Sequence, residues 1–204
     1  PRRQRQMCIR DRNSSLSIEG LTSDLDLNAV YLQFIYISDN SNALGEKDNL
    51  TQARDKSNYS NFHSRYHPSF RKFLYEFGYY DIFLIDTQGY VVYSVFKELD
   101  YATSMLSGPY SNSGLAMAYK EAINLSEGQS KLIDFEPYTP SYESPASFIS
   151  SPIYVNNELI GTLVFQMPVD RINSIMTYGG NWEKSGMGKS GESVNTTHQT
   201  KKLD

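Results

Sequence analysis

The stretch YYDIFLIDTQGYVVYSV, residues 79–95, has the composition of a β-hairpin. Residues 80–86 and 90–95 are rich in β-branched and aromatic side chains, which favour strands. Between them lies Thr87-Gln88-Gly89, a sequence with the composition of a turn. The stretch therefore predicts two antiparallel strands joined by a short connection.

Helical periodicity precedes this hairpin. In residues 21–37 the apolar side chains recur mainly at intervals of three and four, which predicts one amphipathic helix. Residues 50–77 predict a second helical stretch in one or two pieces, with Pro68 able to begin the later piece. Gly78 follows as a natural C-terminal cap.

Strands dominate after the hairpin. A short helix is predicted over residues 113–125, a third strand over 131–138, a second hairpin over 146–154 and 159–167 around Asn156-Asn157, and a last helix over 169–176. This order predicts an α+β fold. Its parts are a long N-terminal helix and a central antiparallel five-stranded sheet with a short crossover helix.

Composition narrows the classes of protein that fit. The chain has 204 residues and a formal charge of −4, which suits one domain and argues against a nucleic-acid partner. It holds 16 Tyr and 10 Phe but one Trp. Tyrosine suits partly solvent-exposed pockets, where the ring is buried and the hydroxyl forms a hydrogen bond. The one cysteine, Cys8, cannot form an internal disulfide. No apolar run approaches the roughly 20 residues of a membrane helix.

Residues 1–12 differ from the rest of the chain. Their sequence, PRRQRQMCIRDR, holds five of the 19 basic residues and one of the 23 acidic ones. One interpretation is a basic tail that flanks a membrane or nucleic acid. We prefer another, because residues 7–11 are similar to the translation of a transposon-end sequencing adapter. On that interpretation the chain is a gene fragment, and the lack of a signal peptide says nothing about the full protein.

The order of elements resembles a PAS-like Cache sensor domain. Three stretches are similar to the membrane-distal half of a double-Cache region: YHPSFRKFLYEFGYYDIFLIDTQGYVVYSVFKELDYATSMLSGPY (66–110), DFEPYTPSYESPASFISSPI (134–153) and GTLVFQMPVDRINSIM (161–176). Such regions occur in methyl-accepting chemotaxis receptors, sensor kinases, and membrane-tethered cyclases and phosphatases. Residues 186–193 resemble the entry into the membrane-proximal half, but residues 194–198 are polar where the family continues as an apolar strand.

The resemblance implies an organisation and a function. Beyond the adapter-like residues 1–12, it implies a helical region (13–78), a membrane-distal subdomain (79–177), and a linker with a truncated or corrupted proximal start (178–204). It implies a ligand-binding sensory module in the periplasm, dimeric through its N-terminal helix and anchored to the membrane in the full-length protein. The alternative is a Cache domain that binds nothing and acts as a dimerisation spacer. The family leaves the output domain, whether kinase, cyclase or phosphatase, undetermined.

No pattern predicts catalysis. The carboxylates Asp81, Asp86, Glu98, Asp100 and Asp134 are scattered along the chain, and the sequence alone does not show any two of them converging. No G-x-S-x-G elbow is present. A phosphate loop at residues 186–190 is rejected because Glu183 stands where its first glycine belongs. The sequence therefore predicts a module that is not an enzyme.

His63 and His67 are the one candidate metal pair. Four residues apart on a helix, they share a face and could bind a metal. The protease signature HExxH needs a glutamate where Ser64 stands, so packing or capping is the simpler interpretation. A soluble haem-binding domain fits less well, because both histidines precede the expected pocket. We therefore predict no metal and no cofactor.

In a PAS-like fold the ligand sits between the sheet and the crossover helix. The resemblance therefore places these ligand-binding candidates around the pocket: Tyr110, Tyr119, Asp134, Tyr138, Tyr142, Ser147, Phe148 and Phe165. Aromatic walls with a few polar groups suit a small-molecule site. The alternative for about half of them is packing in the core with their hydroxyls at the surface.

The pocket region lacks arginine. None occurs between Arg71 and Arg171, whereas amino-acid receptors of this superfamily use an Arg plus Trp-Tyr motif to hold the carboxylate. Within the region only Lys97, Lys120 and Lys131 could pair with an anion, so an α-amino acid is disfavoured. If Asp134 or Asp100 faces the cavity among tyrosines, we expect an amine or quaternary ammonium as ligand.

Overall fold

The computed structural model describes residues 27–176, 178, 179 and 181. The chain divides into two compact units, Pro1–Met167 and Pro168–Asp204. The adapter-like residues, Cys8, the phosphate-loop candidate and most of the predicted linker lie outside the described residues. The second unit contributes one described helix, Val169–Met176, as predicted.

The first described helix, α1, spans Leu27–Gln33 and continues as a π-helical turn over Phe34–Ser38. The turn closes where the amide N–H of Asp39 donates to the Phe34 carbonyl at 2.8 Å. It brings Ile35 and Tyr36, neighbours in sequence, into the interior together. The predicted helix end at residue 37 is thereby confirmed within one residue.

The second helix, α2, spans Asn58–Phe77. It begins where the Ser57 hydroxyl accepts from the amide N–H of Ser60 and ends at Gly78, whose φ of 72° is left-handed. Of the two alternatives the structure shows one continuous helix, with Pro68 inside it, and the helix begins at Asn58 rather than near residue 50. A proline keeps a helical φ and removes one backbone hydrogen bond, and the buried side chains before it hold the helix together.

Five antiparallel strands follow, with a helix between the second and the third. They are β1 Asp81–Asp86, β2 Val91–Ser94, helix α3 Gly114–Ala122, β3 Lys131–Tyr138, β4 Ser144–Val155 and β5 Glu158–Gln166. The sheet order is β2-β1-β5-β4-β3, so α3 carries the chain from one edge to the other. The predicted fold class is confirmed.

Both predicted hairpins form. Asn156 and Asn157 have φ angles of 52° and 65°, as a two-residue type I′ turn requires, and Val155 pairs with Glu158 across it. In the first hairpin a bulge shifts the register between Leu84 and Ile85. Among the described residues, no helix is long and apolar enough to cross a membrane.

The two faces of the sheet bury different elements. The face under α3 holds a core that includes Phe83, Leu115 and Phe148. The opposite face holds Ile82 and Tyr93 with Leu74 of α2. Strand alternation explains the division, because successive side chains point to opposite faces.

Candidate functional site

One end of the sheet carries buried polar side chains on the α3 face. Asp81 opens β1 and pairs with Gln166 at the end of β5, which pairs in turn with Phe148 of β4. Asp81 is in phase with Phe83, and Gln166 with Val164, so both polar side chains point into the core under α3. Asp81 and Gln166 are buried.

The loop after β2 brings further carboxylates to this end. It is tied to β2 because the amide N–H of Ala102 donates to the Val91 carbonyl, and that of Val91 to the Thr103 carbonyl, both at 3.0 Å. Asp100 in this loop is fully buried, and the Tyr138 hydroxyl donates to its Oδ2. The other oxygen, Asp100 Oδ1, has no hydrogen-bond partner in the described part of the chain.

Glu98, from the same loop, links this carboxylate to the strand ends. Its carboxylate accepts from the Ser141 hydroxyl at 3.0 Å and from the Tyr80 hydroxyl at 3.3 Å. Ser141 Oγ in turn accepts from Gln166 Nε2 at 3.1 Å. Gln166 Oε1 has no partner among the described residues. We call Asp81, Glu98 and Asp100 the acidic cluster.

Burial raises the pKa of all three carboxyl groups. The pKa of Asp100 rises to about 6, against hydrogen bonds from the Tyr138 hydroxyl and from the backbone N–H groups of Asp100 and Tyr101, which lower it. Burial, with the charges of Asp100 and Asp81, raises the pKa of Glu98 well above its ordinary range. Burial and the charge of Asp100 raise the pKa of Asp81, against backbone N–H donors that lower it. Desolvation and like-charge repulsion both favour the neutral acid, so any negative charge on the cluster is held at a cost in free energy.

Lys97 is the buried cation beside the cluster. Its Nζ donates to the Ser94 carbonyl and lies 4.3 Å from the ring centre of Tyr93 and 5.1 Å from that of Tyr101. Burial lowers the pKa of Lys97, while the charges of Asp81 and Asp48 raise it. The Lys97 ammonium is surrounded by tyrosine rings and offsets the negative charge of Asp81.

A cavity of about 140 Å³ adjoins the cluster. Glu98 and Lys97 line it together with Ile37 and with Pro140 and Tyr142 of the turn after β3. An apolar cavity of roughly 150 Å³ admits a molecule the size of benzene. The space beside Glu98 therefore suits a small ligand.

Three predicted ligand-binding residues surround the cluster. Tyr138 and Phe148 are buried, with ring centres 5.1 Å apart in an edge-to-face contact. Tyr110 is buried in the same core, and besides burial the charges of Asp100 and Glu98 raise its pKa. Tyr142 lies nearby as a wall of the cavity.

The other predicted residues lie elsewhere. Tyr119 is buried, but its hydroxyl donates to the Thr87 carbonyl beside the first hairpin turn. The Ser147 hydroxyl donates to the Ile133 carbonyl at 2.6 Å. Asp134 is exposed on β3. Phe165 lies on the opposite face of the sheet, 4.6 Å from the ring centre of Tyr79. The structure does not bring these four residues to the cluster.

The residues that sequence reasoning missed are Asp81, Glu98 and Gln166, and Asp100 was weighed only as one of two alternatives. A signal for two of them is present in the chain. Asp81 alternates in phase with apolar residues of β1, and Gln166 with those of β5, so a two-residue period indicates burial. Glu98 and Asp100 lie in a loop, where no periodicity indicates which way a side chain points.

The two candidate metal ligands belong to another cluster. The rings of His63 and His67 stack with centres 4.3 Å apart on the opposite side of the sheet. Both nitrogens of His67 are hydrogen-bonded, to the Tyr93 hydroxyl and the Asp48 carbonyl, and burial lowers its pKa to about 4. Over the described ranges, no group of three or more His, Cys, Asp or Glu residues is arranged to hold a metal ion.

No protein-family model and no curated protein matches this chain. Among solved structures it is similar to the sensor domain of the V. cholerae histidine kinase DctB, at 16% identity and a TM-score of 0.43, over 84% of this chain and 60% of that one. It is also similar to the ligand-binding domain of the Campylobacter jejuni chemoreceptor Tlp3, solved with 4-methylisoleucine, at 12% identity and a TM-score of 0.42, over 86% and 58%.

A third similar structure is the ligand-binding domain of the Pseudomonas aeruginosa amino-acid chemoreceptor PctC in complex with GABA. Its identity is 13% and its TM-score 0.42, over 78% of this chain and 63% of that one. The chain thus spans about 60% of the length of these structures. All three are sensor or ligand-binding domains of a histidine kinase or of chemoreceptors.

Proposed function

We propose that this chain is a ligand-binding sensory module of a bacterial transmembrane signalling receptor, which binds a small metabolite at the acidic cluster. The observation that carries the proposal is a pair of buried oxygens, Asp100 Oδ1 and Gln166 Oε1, that lack partners in the described part of the chain. Buried polar atoms are normally hydrogen-bonded, and an unpaired one lowers stability. A ligand that pairs them recovers that free energy.

The loop that carries Asp100 also contacts the N-terminal helix. The next residue, Tyr101, packs edge-to-face on Tyr36 with ring centres 6.1 Å apart. From α1, Gln33 Nε2 donates to the Tyr101 carbonyl at 2.7 Å. Asp100 faces the acidic cluster and its neighbour Tyr101 contacts the helix. A ligand that moves Asp100 therefore also shifts the position of α1. We propose this loop as the route of a two-state signal.

The exposed face of α1 supports dimerisation. Leu27, Val30, Tyr31 and Phe34 are exposed and recur at intervals of three and four, so they form one apolar stripe along the helix. A second copy packed on this stripe would remove it from water. We propose a homodimer through this helix, with a membrane anchor and a periplasmic location in the full-length protein. The module itself is non-catalytic, and any kinase, cyclase or phosphatase activity belongs to another domain.

The test is a thermal-shift screen of the full chain against amines, amino acids, carboxylates, sugars and nucleobases. A ligand at a hundred times its dissociation constant adds about 2.7 kcal/mol of stability, a shift of several degrees. We expect a shift with one class that is lost in Asp100→Ala, which removes the unpaired Oδ1. A folded protein that responds to no class would favour the alternative, a spacer domain that binds nothing.

A further inference from the structure

The unpaired atoms at the acidic cluster are all acceptors. Asp100 Oδ1 and Gln166 Oε1 are without partners in the part of the chain that the structure describes. Both residues are more than nine-tenths buried. The neighbouring Glu98 carboxylate already accepts from two hydroxyls. A ligand that completes this arrangement must therefore donate hydrogen bonds.

The charge of the cluster is negative and its surroundings supply few cations. Lys97 is held among tyrosine rings by the Ser94 carbonyl. Lys120 donates to the Ser111 carbonyl at 2.7 Å, and Lys131 is exposed, 3.8 Å from Glu121. The remaining lysine at the cavity, Lys47, donates to the Asn40 carbonyl at 2.6 Å.

The carboxyl groups of the acidic cluster disfavour an anionic ligand. A ligand carboxylate would lie among carboxylates, and a buried like-charge pair is unfavourable. No arginine lies between Arg71 and Arg171 to hold such a group in the bidentate manner. A positive ligand, in contrast, would relieve the repulsion among Asp81, Glu98 and Asp100.

Resting on the proposed function, we infer that the site takes a small protonated primary or secondary amine, whose N–H groups donate to Asp100 and Gln166. A quaternary ammonium carries the charge but has no N–H, so it leaves both oxygens unpaired. The rings of Tyr110, Tyr138 and Phe148 supply the aromatic wall that a cation favours. A cavity of about 140 Å³, lined by Glu98 together with Lys97 and Lys47, adjoins the cluster.

The experiment compares primary amines with ligands that lack the N–H groups, lack the charge or carry the opposite charge. The full chain is titrated at pH 7.5 by calorimetry with primary alkylamines from methylamine to hexylamine, and with tetramethylammonium, butan-1-ol and butyrate. We expect one or more alkylamines to bind, with tetramethylammonium at least tenfold weaker and no binding of butan-1-ol or butyrate. Asp100→Asn keeps the shape of the side chain but removes its charge, and should weaken amine binding at least tenfold.

Two further variants make the result specific. Glu98→Gln removes a second carboxyl group of the cluster and should also weaken binding, while Asp134→Asn, on the exposed part of β3, should bind as the original chain does. Binding of butyrate in place of the amines, sensitive to Asp100→Ala, would overturn the amine inference and keep the sensor proposal. A response to no alkylamine and to no class of the thermal-shift screen would overturn both.

Discussion

The two faces of the sheet both bury polar groups, but they pair them differently. On the α2 face, His67 is hydrogen-bonded through both ring nitrogens, and the Asp48 carboxylate receives Arg71 Nε at 2.8 Å and the Tyr75 hydroxyl at 2.7 Å. Two acceptors on this side, Nε2 of His63 and Oδ1 of Asp55 just before α2, are unpaired in the described chain. This face is therefore close to a satisfied structural network.

The α3 face, in contrast, gathers carboxylates with fewer donors than acceptors. Asp81, Glu98 and Asp100 repel one another, and Asp100 Oδ1 and Gln166 Oε1 lack partners within the described residues. A paired network stabilises a fold, whereas unpaired buried acceptors lower its stability until a donor arrives. The contrast supports a structural role for the first cluster and our proposal that the second binds a ligand.

The largest effect is expected on the α2 face. His67→Ala leaves the Tyr93 hydroxyl and the Asp48 carbonyl unpaired and opens a cavity, so the free energy of unfolding should fall by about 3 kcal/mol. Urea denaturation measures the change. Phe62→Ala, an exposed position of the same helix, is the control and should change it by less than about 0.5 kcal/mol. If His67→Ala lowered the free energy of unfolding by less than about 1 kcal/mol, the hydrogen bonds of His67 would not have the structural role that we assign to them.

On the α3 face we expect a substitution to raise the free energy of unfolding rather than lower it. Asp100→Asn removes a buried charge whose pKa of about 6 lies some two units above the ordinary value, so stability without ligand at pH 8 should rise by about 1–3 kcal/mol. The same denaturation series measures it, with the exposed Asp134→Asn unchanged. If Asp100→Asn destabilises the protein at this pH, the carboxylate has a structural role and the contrast between the faces fails.

The pH dependence of stability should separate the two faces. Native Asp100 keeps its proton up to about pH 6 and the unfolded chain loses it near pH 4, so this residue makes stability fall as pH rises through that window. Native His67 stays neutral down to about pH 4, so it makes stability rise between about pH 4 and 6.5. Relative to the original chain, the slope of the free energy of unfolding against pH, from pH 4.5 to 7.5, should be more positive in Asp100→Asn and less positive in His67→Gln. Three parallel profiles would contradict these protonation states.

The smallest effect on stability is expected at the contact between the loop and α1. Gln33→Ala removes one partly buried hydrogen bond to the Tyr101 carbonyl and should cost about 1 kcal/mol or less. Amine binding should be retained, but hydrogen exchange of residues 27–38 should no longer respond to the alkylamine that binds most tightly. An unchanged exchange response would show that the signal does not pass through this contact.

Local pattern predicted most of the fold. The two hairpins, the last helix and the Gly78 cap follow from residues adjacent in sequence, because alternation and turn composition act over a few positions. Pro68 shows the limit of such reasoning. Its effect on a helix depends on packing at His63, His67 and Leu74, which tertiary contacts provide.

The sequence predicted part of the proposed site. Tyr110, Tyr138 and Phe148 gather at the acidic cluster, whereas Asp134 and Phe165 lie away from it. The positions of Asp134 and Phe165 have a common cause, because the face that a strand residue occupies depends on register. Asp134 falls within an irregularity between β3 and β4, and Phe165 is out of phase with the buried Val164 and Gln166.

The sequence by itself determined the class of fold, the strand and helix segments, and the lack of arginine that disfavours a carboxylate ligand. Only the tertiary structure decided that Asp81, Glu98 and Asp100 meet, because their convergence depends on a loop folded back beneath the sheet end. Sequence periodicity extends over a few residues and does not indicate how close two distant segments lie in space. Whether a buried oxygen has a hydrogen-bond partner is likewise decided by the folded chain. The proposed ligand is inferred from the two oxygens that have none among the described residues.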